Sequence, residues 1–89
     1  MYNKKYTLES IEEFNRHNPL YDDMEGSTCY LAYFNVGDRG WFLWEANDWF
    51  GDTHRIHTSI VKEVEYRDNQ VVVTTQNTKF VFTIVDGQY

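Results

Sequence analysis

Eighty-nine residues with a formal net charge of −6, 42% hydrophobic and 18% aromatic side chains bound this chain to one small domain over residues 1–89. No apolar run reaches the ~18 residues of a membrane-spanning helix, and a single cysteine, Cys29, excludes an internal disulfide and a cysteine-based zinc site. No charged-then-apolar leader precedes the first polar segment, so the chain reads as cytoplasmic, with no membrane partner.

Thr7 reads as a helix N-cap, with Glu9 in the first turn against the positive end of the dipole. Tyr6 and Ile11 stand at the positions of a hydrophobic staple. Leu8, Ile11 and Phe14 recur three apart as one apolar stripe, and Glu12, Glu13 and Arg16 take the other side. Asn18-Pro19 stops this helix, which leaves His17 to cap its C-terminus. Residues 20–26 form an acidic loop. From Ser27 the pattern changes to strands over 27–36, 41–46, 55–67, 71–76 and 79–85, separated by Gly37-Asp38-Arg39-Gly40, a loop over 47–53, Asp68-Asn69 and Asn77-Thr78. The expected fold is α+β: one N-terminal helix packed on a five-stranded antiparallel sheet or small coiled barrel.

Several strands are apolar on both faces. Tyr30, Ala32, Phe34 and Val36 oppose Leu31 and Tyr33, and Trp41 and Leu43 oppose Phe42, Trp44 and Ala46. An antiparallel sheet with one wet face should alternate apolar with polar. One short helix covers only part of a face, so the remainder calls for barrel closure or a second copy, which points to a homodimer.

Charge and aromatics supply the functional signals. Between Glu9 and Asp52 there are ten acids against Arg16 and Arg39, whereas residues 53–89 balance at four and four. An acidic half repels phosphate, so direct nucleic-acid binding is not expected, and a basic protein surface is the complementary partner. All three tryptophans fall within residues 41–50. Trp41 and Trp44 are three apart and face opposite sides of a strand. Trp49 and Phe50 lie in the following loop between Asp48 and Asp52, where Trp49 either caps a barrel end or anchors a partner.

The remaining candidates read as structural. His54 and His57, three apart on a strand, do not converge on one ion. Asp52 and His54 share a side but make only two ligands. Cys29 lacks a local histidine signature for a nucleophile, and the adjacent acids Glu12-Glu13 and Asp22-Asp23 read as solvated pairs rather than a glycosidase dyad. No phosphate loop, dinucleotide fingerprint or H-E-x-x-H motif occurs, so no cofactor, metal or catalytic role is expected.

The segment with Thr58-Ser59 before a valine-rich strand, and Thr75-Gln76-Asn77-Thr78 before the aromatic strand Phe80-Val81-Phe82, resembles the C-terminal β-meander of small phage- and prophage-encoded proteins of Gram-positive bacteria. The resemblance covers about a third of the chain and carries no catalytic residues. It implies a counter-defence context of the anti-CRISPR type, in which small acidic proteins block host machinery. The leading expectation is a non-enzymatic inhibitor or regulator of a host protein, with a nucleic-acid-handling enzyme as the expected target, binding through Asp22, Asp23, Glu25, Asp48, Trp49, Phe50 and Asp52. The alternatives are a homo-oligomeric structural or regulatory protein, and a small-ligand or carbohydrate-binding module that uses a surface tryptophan.

Overall fold

The computed structural model describes residues 4–15, 17–46 and 53–85. Within them six antiparallel strands close into a barrel in sequence order: β1 (Tyr6–Glu13), β2 (Thr28–Tyr33), β3 (Arg39–Glu45), β4 (Thr53–Tyr66), β5 (Gln70–Thr75) and β6 (Thr78–Ile84), with β6 returning to β1. A five-residue helix, α1 (Leu20–Met24), links β1 to β2. Among the described residues no helix is long and apolar enough to cross a membrane.

The fold is therefore all but entirely β, which corrects the α+β expectation, and the N-terminal helix is strand β1. The spacing of three that suggested a helix comes from a β-bulge. Leu8 pairs with Phe82, Ser10 with Val81 and Ile11 with Phe80, so the register skips at residue 9. An extra residue between two inward positions turns a spacing of two into three, and Leu8 and Ile11 meet the core on one face. A helix of two to three turns is marginal without packing. As a strand, the same residues pair with β6 and remove an open barrel edge.

The acidic loop expected over 20–26 instead contains α1. Pro19 does not terminate a helix but precedes one, as its N-cap with φ −57° and ψ −27°. Helix α1 leads into the shortest seam of the barrel, where direct β1–β2 pairing is confined to Tyr6–Cys29 and Thr7–Thr28. Leu8 N–H donates to Ser27 O at 2.9 Å and Gly26 N–H to Leu8 O at 2.7 Å, extending the seam by one turn of chain. Gly26 takes φ +88°, a left-handed conformation open to glycine at little cost. Met24 is fully buried, and Tyr21 meets Phe80 edge-on at 5.7 Å.

Phe42, Phe80 and Phe82, all fully buried, form the centre of the core with ring centroids 5.2–6.0 Å apart. Phe34, beyond the end of β2, folds back over Phe42 and Phe82 at 6.3 and 6.0 Å. Trp44 is an inward residue, 8% exposed, and its indole N–H has no hydrogen-bond partner among the described residues.

Strand β4 serves two neighbours, pairing with β3 through residues 53–60 and with β5 through 61–66. Its change of partner is fixed by hydroxyls. Thr58 Oγ1 accepts Gly40 N–H at 3.0 Å, and Ser59 Oγ donates to Thr75 Oγ1 at 2.9 Å. Thr75 in turn holds the β5–β6 turn through Thr78. The Thr-Ser and Thr-x-Asn-Thr elements behind the sequence resemblance are thus fold residues.

The outer wall has two halves. Strands β1, β5, β6 and the end of β4 carry the polar row Glu12–Lys79–Thr74–Glu63 and the mixed row Ser10–Val81–Val72–Glu65, in which Val72 is covered at 4% exposure. Strands β2, β3 and the start of β4 present Tyr30–Leu43–Arg55 and Tyr33–Trp41–His57. Barrel closure absorbs one apolar sheet face, and outward aromatic side chains gather on this half.

Candidate protein-binding surface

One acid of β1 and one of α1 meet at a single histidine. Where β1 ends, Glu13 and Asp22 both reach His17, Glu13 Oε1 to Nδ1 at 2.9 Å and Asp22 Oδ2 to Nε2 at 3.1 Å. Glu13 Oε2 also accepts the Asn18 N–H at 2.6 Å, and Asn18 Oδ1 accepts the Leu20 N–H at 3.1 Å. The Asn18-Pro19 turn is thereby tied at both ends, which aims α1 back along β1.

This geometry sets the protonation states. The Asn18 amide is the main reason the Glu13 carboxyl sits below its ordinary value, with His17 adding to it. The bond to Glu13 and the charge of Asp22 together hold His17 above the ordinary histidine value. With a carboxylate oxygen at each ring nitrogen, the doubly protonated imidazolium donates on both sides. His17 is thus a bridge between β1 and α1, not the cap of a helix C-terminus.

Beside this bridge a hollow of about 340 Å³ is lined by His17, Asn18, Pro19, Tyr21, Asn77 and Thr78. Asn15 Nδ2 donates to Asn77 Oδ1 at 3.1 Å across its rim. Two large apolar side chains stay in water here: Phe14, just past β1, at 45% exposure and Leu20, the first residue of α1, at 40%. Asp22 and Asp23 are exposed on α1. The rim thus offers what a basic, partly apolar protein segment needs: carboxylates, apolar anchors and a concavity.

Of the contacts expected from sequence, Asp22 reaches this site through His17, and Asp23 is exposed next to it on α1. Glu25 is on the same segment, but its Oε2 accepts the Ile11 N–H at 3.0 Å, so it seals the exposed edge of β1. Asp48, Trp49, Phe50 and Asp52 lie outside the described residues. Sequence reading missed Glu13, His17, Phe14 and Leu20 as parts of one surface. The helix assignment put Phe14 in the core and Glu13 on a solvated side, and the signal that could have corrected it was Asn18-Pro19, a turn that can begin a helix as readily as end one.

The other chemical candidates are placed as well. Cys29 is fully buried and burial pushes its thiol up to about 12, which removes the thiolate needed for nucleophilic attack. His54 packs on Trp44 at 5.6 Å and His57 on Trp41 at 6.5 Å, on opposite faces of β4. Among the described residues no group of three or more His, Cys, Asp or Glu side chains could hold a metal ion. Compared with protein-family models, curated proteins and solved structures, the chain matches none.

Proposed function

We propose that this barrel is a non-catalytic, cytoplasmic binding protein that inhibits or regulates a host protein, engaging a basic surface of that partner with the α1 rim. The observation that carries the reading is the exposure of Asp22, Phe14 and Leu20 next to residues that line one hollow, with exposed Asp23 following on α1. Buried apolar anchors supply the free energy of such contacts, while flanking charges steer encounter and fix the partner's sign. The charge of the chain, −6 overall, favours a basic partner such as the nucleic-acid groove of a defence enzyme, the class that the phage-protein resemblance implies.

The test starts with affinity purification from the natural host, followed by titration of the purified partner against variants. Asp22→Lys with Asp23→Lys should weaken binding about 100-fold through like-charge contacts, and Phe14→Ala about 10-fold or more. Affinity should fall with added salt as exposed charges are screened. Trp49→Ala probes the second contact segment marked by composition. A partner that binds the rim variants and the parent equally well, at all salt concentrations, removes the proposal.

A further inference from the structure

Strand β3 turns Arg39, Trp41, Leu43 and Glu45 outward, alternating with buried Gly40, Phe42 and Trp44. Read in either direction, this row begins with a charge, passes two apolar side chains and ends with the opposite charge. Neighbouring strands widen it. Tyr30 and Arg55 flank Leu43, Tyr33 and His57 flank Trp41, and Ile60 lies beside Arg39. The Arg55 guanidinium carbon sits 4.5 Å over the Trp41 ring, a cation–π contact that holds the long side chain flat on the wall. Tyr30 O–H donates to Glu45 at 2.9 Å and Tyr33 O–H to Asp38 at 2.8 Å, which fixes both acids at the margins.

Charge identifies the occupant. On this wall Arg39 and Arg55 balance Asp38 and Glu45, so the net −6 of the chain resides elsewhere. Two copies therefore meet no net charge repulsion across this wall, whereas the acidic segment over residues 9–25 opposes its own copy. An anionic partner would find two arginines offset by two acids, and a basic one would find the reverse, but a second copy finds its own complement.

We propose that this wall is the two-fold interface of a homodimer. The β3 rows of two copies cross antiparallel, with Arg39 opposite Glu45 of the partner subunit and Trp41 opposite Leu43 of the partner subunit. Such an isologous contact closes on itself and leaves no open end. Six residues of strand place the two charges roughly 20 Å apart, within a body measuring 31 × 29 × 20 Å. A standard interface takes about 800 Å² from each partner, roughly a seventh of the 5848 Å² surface of this chain.

Sedimentation equilibrium at micromolar concentration tests the proposal. The parent protein should be a dimer. Arg39→Glu and Glu45→Arg should each be monomeric, with association weakened about 100-fold by two like-charge pairs, and each should keep the parent far-ultraviolet circular dichroism. Mixed in equal amounts, these two variants should dimerise with each other, because every pair across the axis is then attractive. Trp41→Asp should be monomeric and gain no partner from either. Asp22→Lys with Asp23→Lys should remain dimeric, which separates this wall from the rim. A monomeric parent, or folded single variants that stay monomeric when mixed, overturns the interface.

Discussion

Thr75 bonds Thr78 twice: its hydroxyl donates to Thr78 O and accepts Thr78 N–H, both at 3.0 Å. The second lone pair accepts Ser59 Oγ at 2.9 Å, so one 2%-exposed hydroxyl joins the β5–β6 turn to the point where β4 changes partner. Its single donor and both acceptor sites are used.

Thr75→Val retains the shape and deletes four bonds, the longest from Asn77 N–H at 3.3 Å, so the buried Thr78 amide and carbonyl lose this partner. The expected cost is about 2–3 kcal/mol, a fall in Tm of roughly 10 °C or more for a chain of this size. Thr75→Ser should lose only a small part of that. Urea denaturation of both variants checks it, and equal stability of parent and Thr75→Val would show that the hydroxyl network contributes nothing.

Gly40 is required by a neighbour rather than by its backbone angles. A Cβ there would lie 2.4 Å from Phe34 Cδ1 and 3.0 Å from Tyr33 O, and Phe34 cannot retreat without losing Phe42 and Phe82. Gly40→Ala should therefore cost about 1–3 kcal/mol through overpacking. In a Phe34→Ala background the cost should shrink, since the ring is gone. Denaturation of the double-mutant cycle reads the coupling, and full additivity would place the clash elsewhere.

Strands β2 to β6 were legible because aromatic and branched runs alternate with Gly, Asn and Asp turns. Trp41 and Trp44 even took the opposite faces that their spacing implied. Strand β1 was not legible, because a bulge gives Leu8 and Ile11 the spacing of a helix face and only pairing with Phe82 and Phe80 reveals the skip. The acids on 22–25 were visible as a cluster, but sequence treats them alike. Nothing local says that Glu25 reaches Ile11 fourteen residues away while Asp23 reaches no one among the described residues. Long-range hydrogen bonds divide structural from available carboxylates, and composition does not contain them.

Cys29 should be inert while the barrel is folded. A thiol pushed up to about 12 is roughly one part in 10⁵ thiolate at neutral pH, against a few per cent for an ordinary exposed cysteine. Alkylation by iodoacetamide should therefore follow global unfolding and accelerate with urea along the denaturation curve. Rapid labelling in native buffer would mean that the β1–β2 seam opens independently of the rest.

The Glu13–His17–Asp22 bridge should depend on pH in two opposite ways. His17 is held above its ordinary value, so its contribution is complete below 6.5 and fades as pH rises through the raised pKa. Glu13 is held below its ordinary value, so its contribution is complete above 4.5 and fades as pH falls through the lowered pKa. The bridge is whole between those two values. Nuclear magnetic resonance titration should place His17 above free histidine, Glu13→Gln should bring it down, and exchange of the Asn18 amide should be slowest inside the window. A His17 that titrates below the free value would mean that its carboxylate contacts do not persist in solution.

Finally, the three carboxylates of α1 and its C-cap should separate by readout. Glu25 accepts the Ile11 amide, and Glu25→Ala leaves that strand edge to water at a cost of about 1 kcal/mol, a Tm decrease of roughly 4–8 °C. Asp23 has no side-chain bond to any described residue, and Asp22 only the exposed contact to His17, so Asp23→Ala should leave Tm within about a degree, as surface substitutions do. In partner titrations the order should reverse, with Asp22 and Asp23 changing affinity and Glu25→Gln changing little, because the rim acts through exposed carboxylates and Glu25 through its backbone bond. Equal effects of all three on both readouts would reduce the rim to an undivided acidic surface.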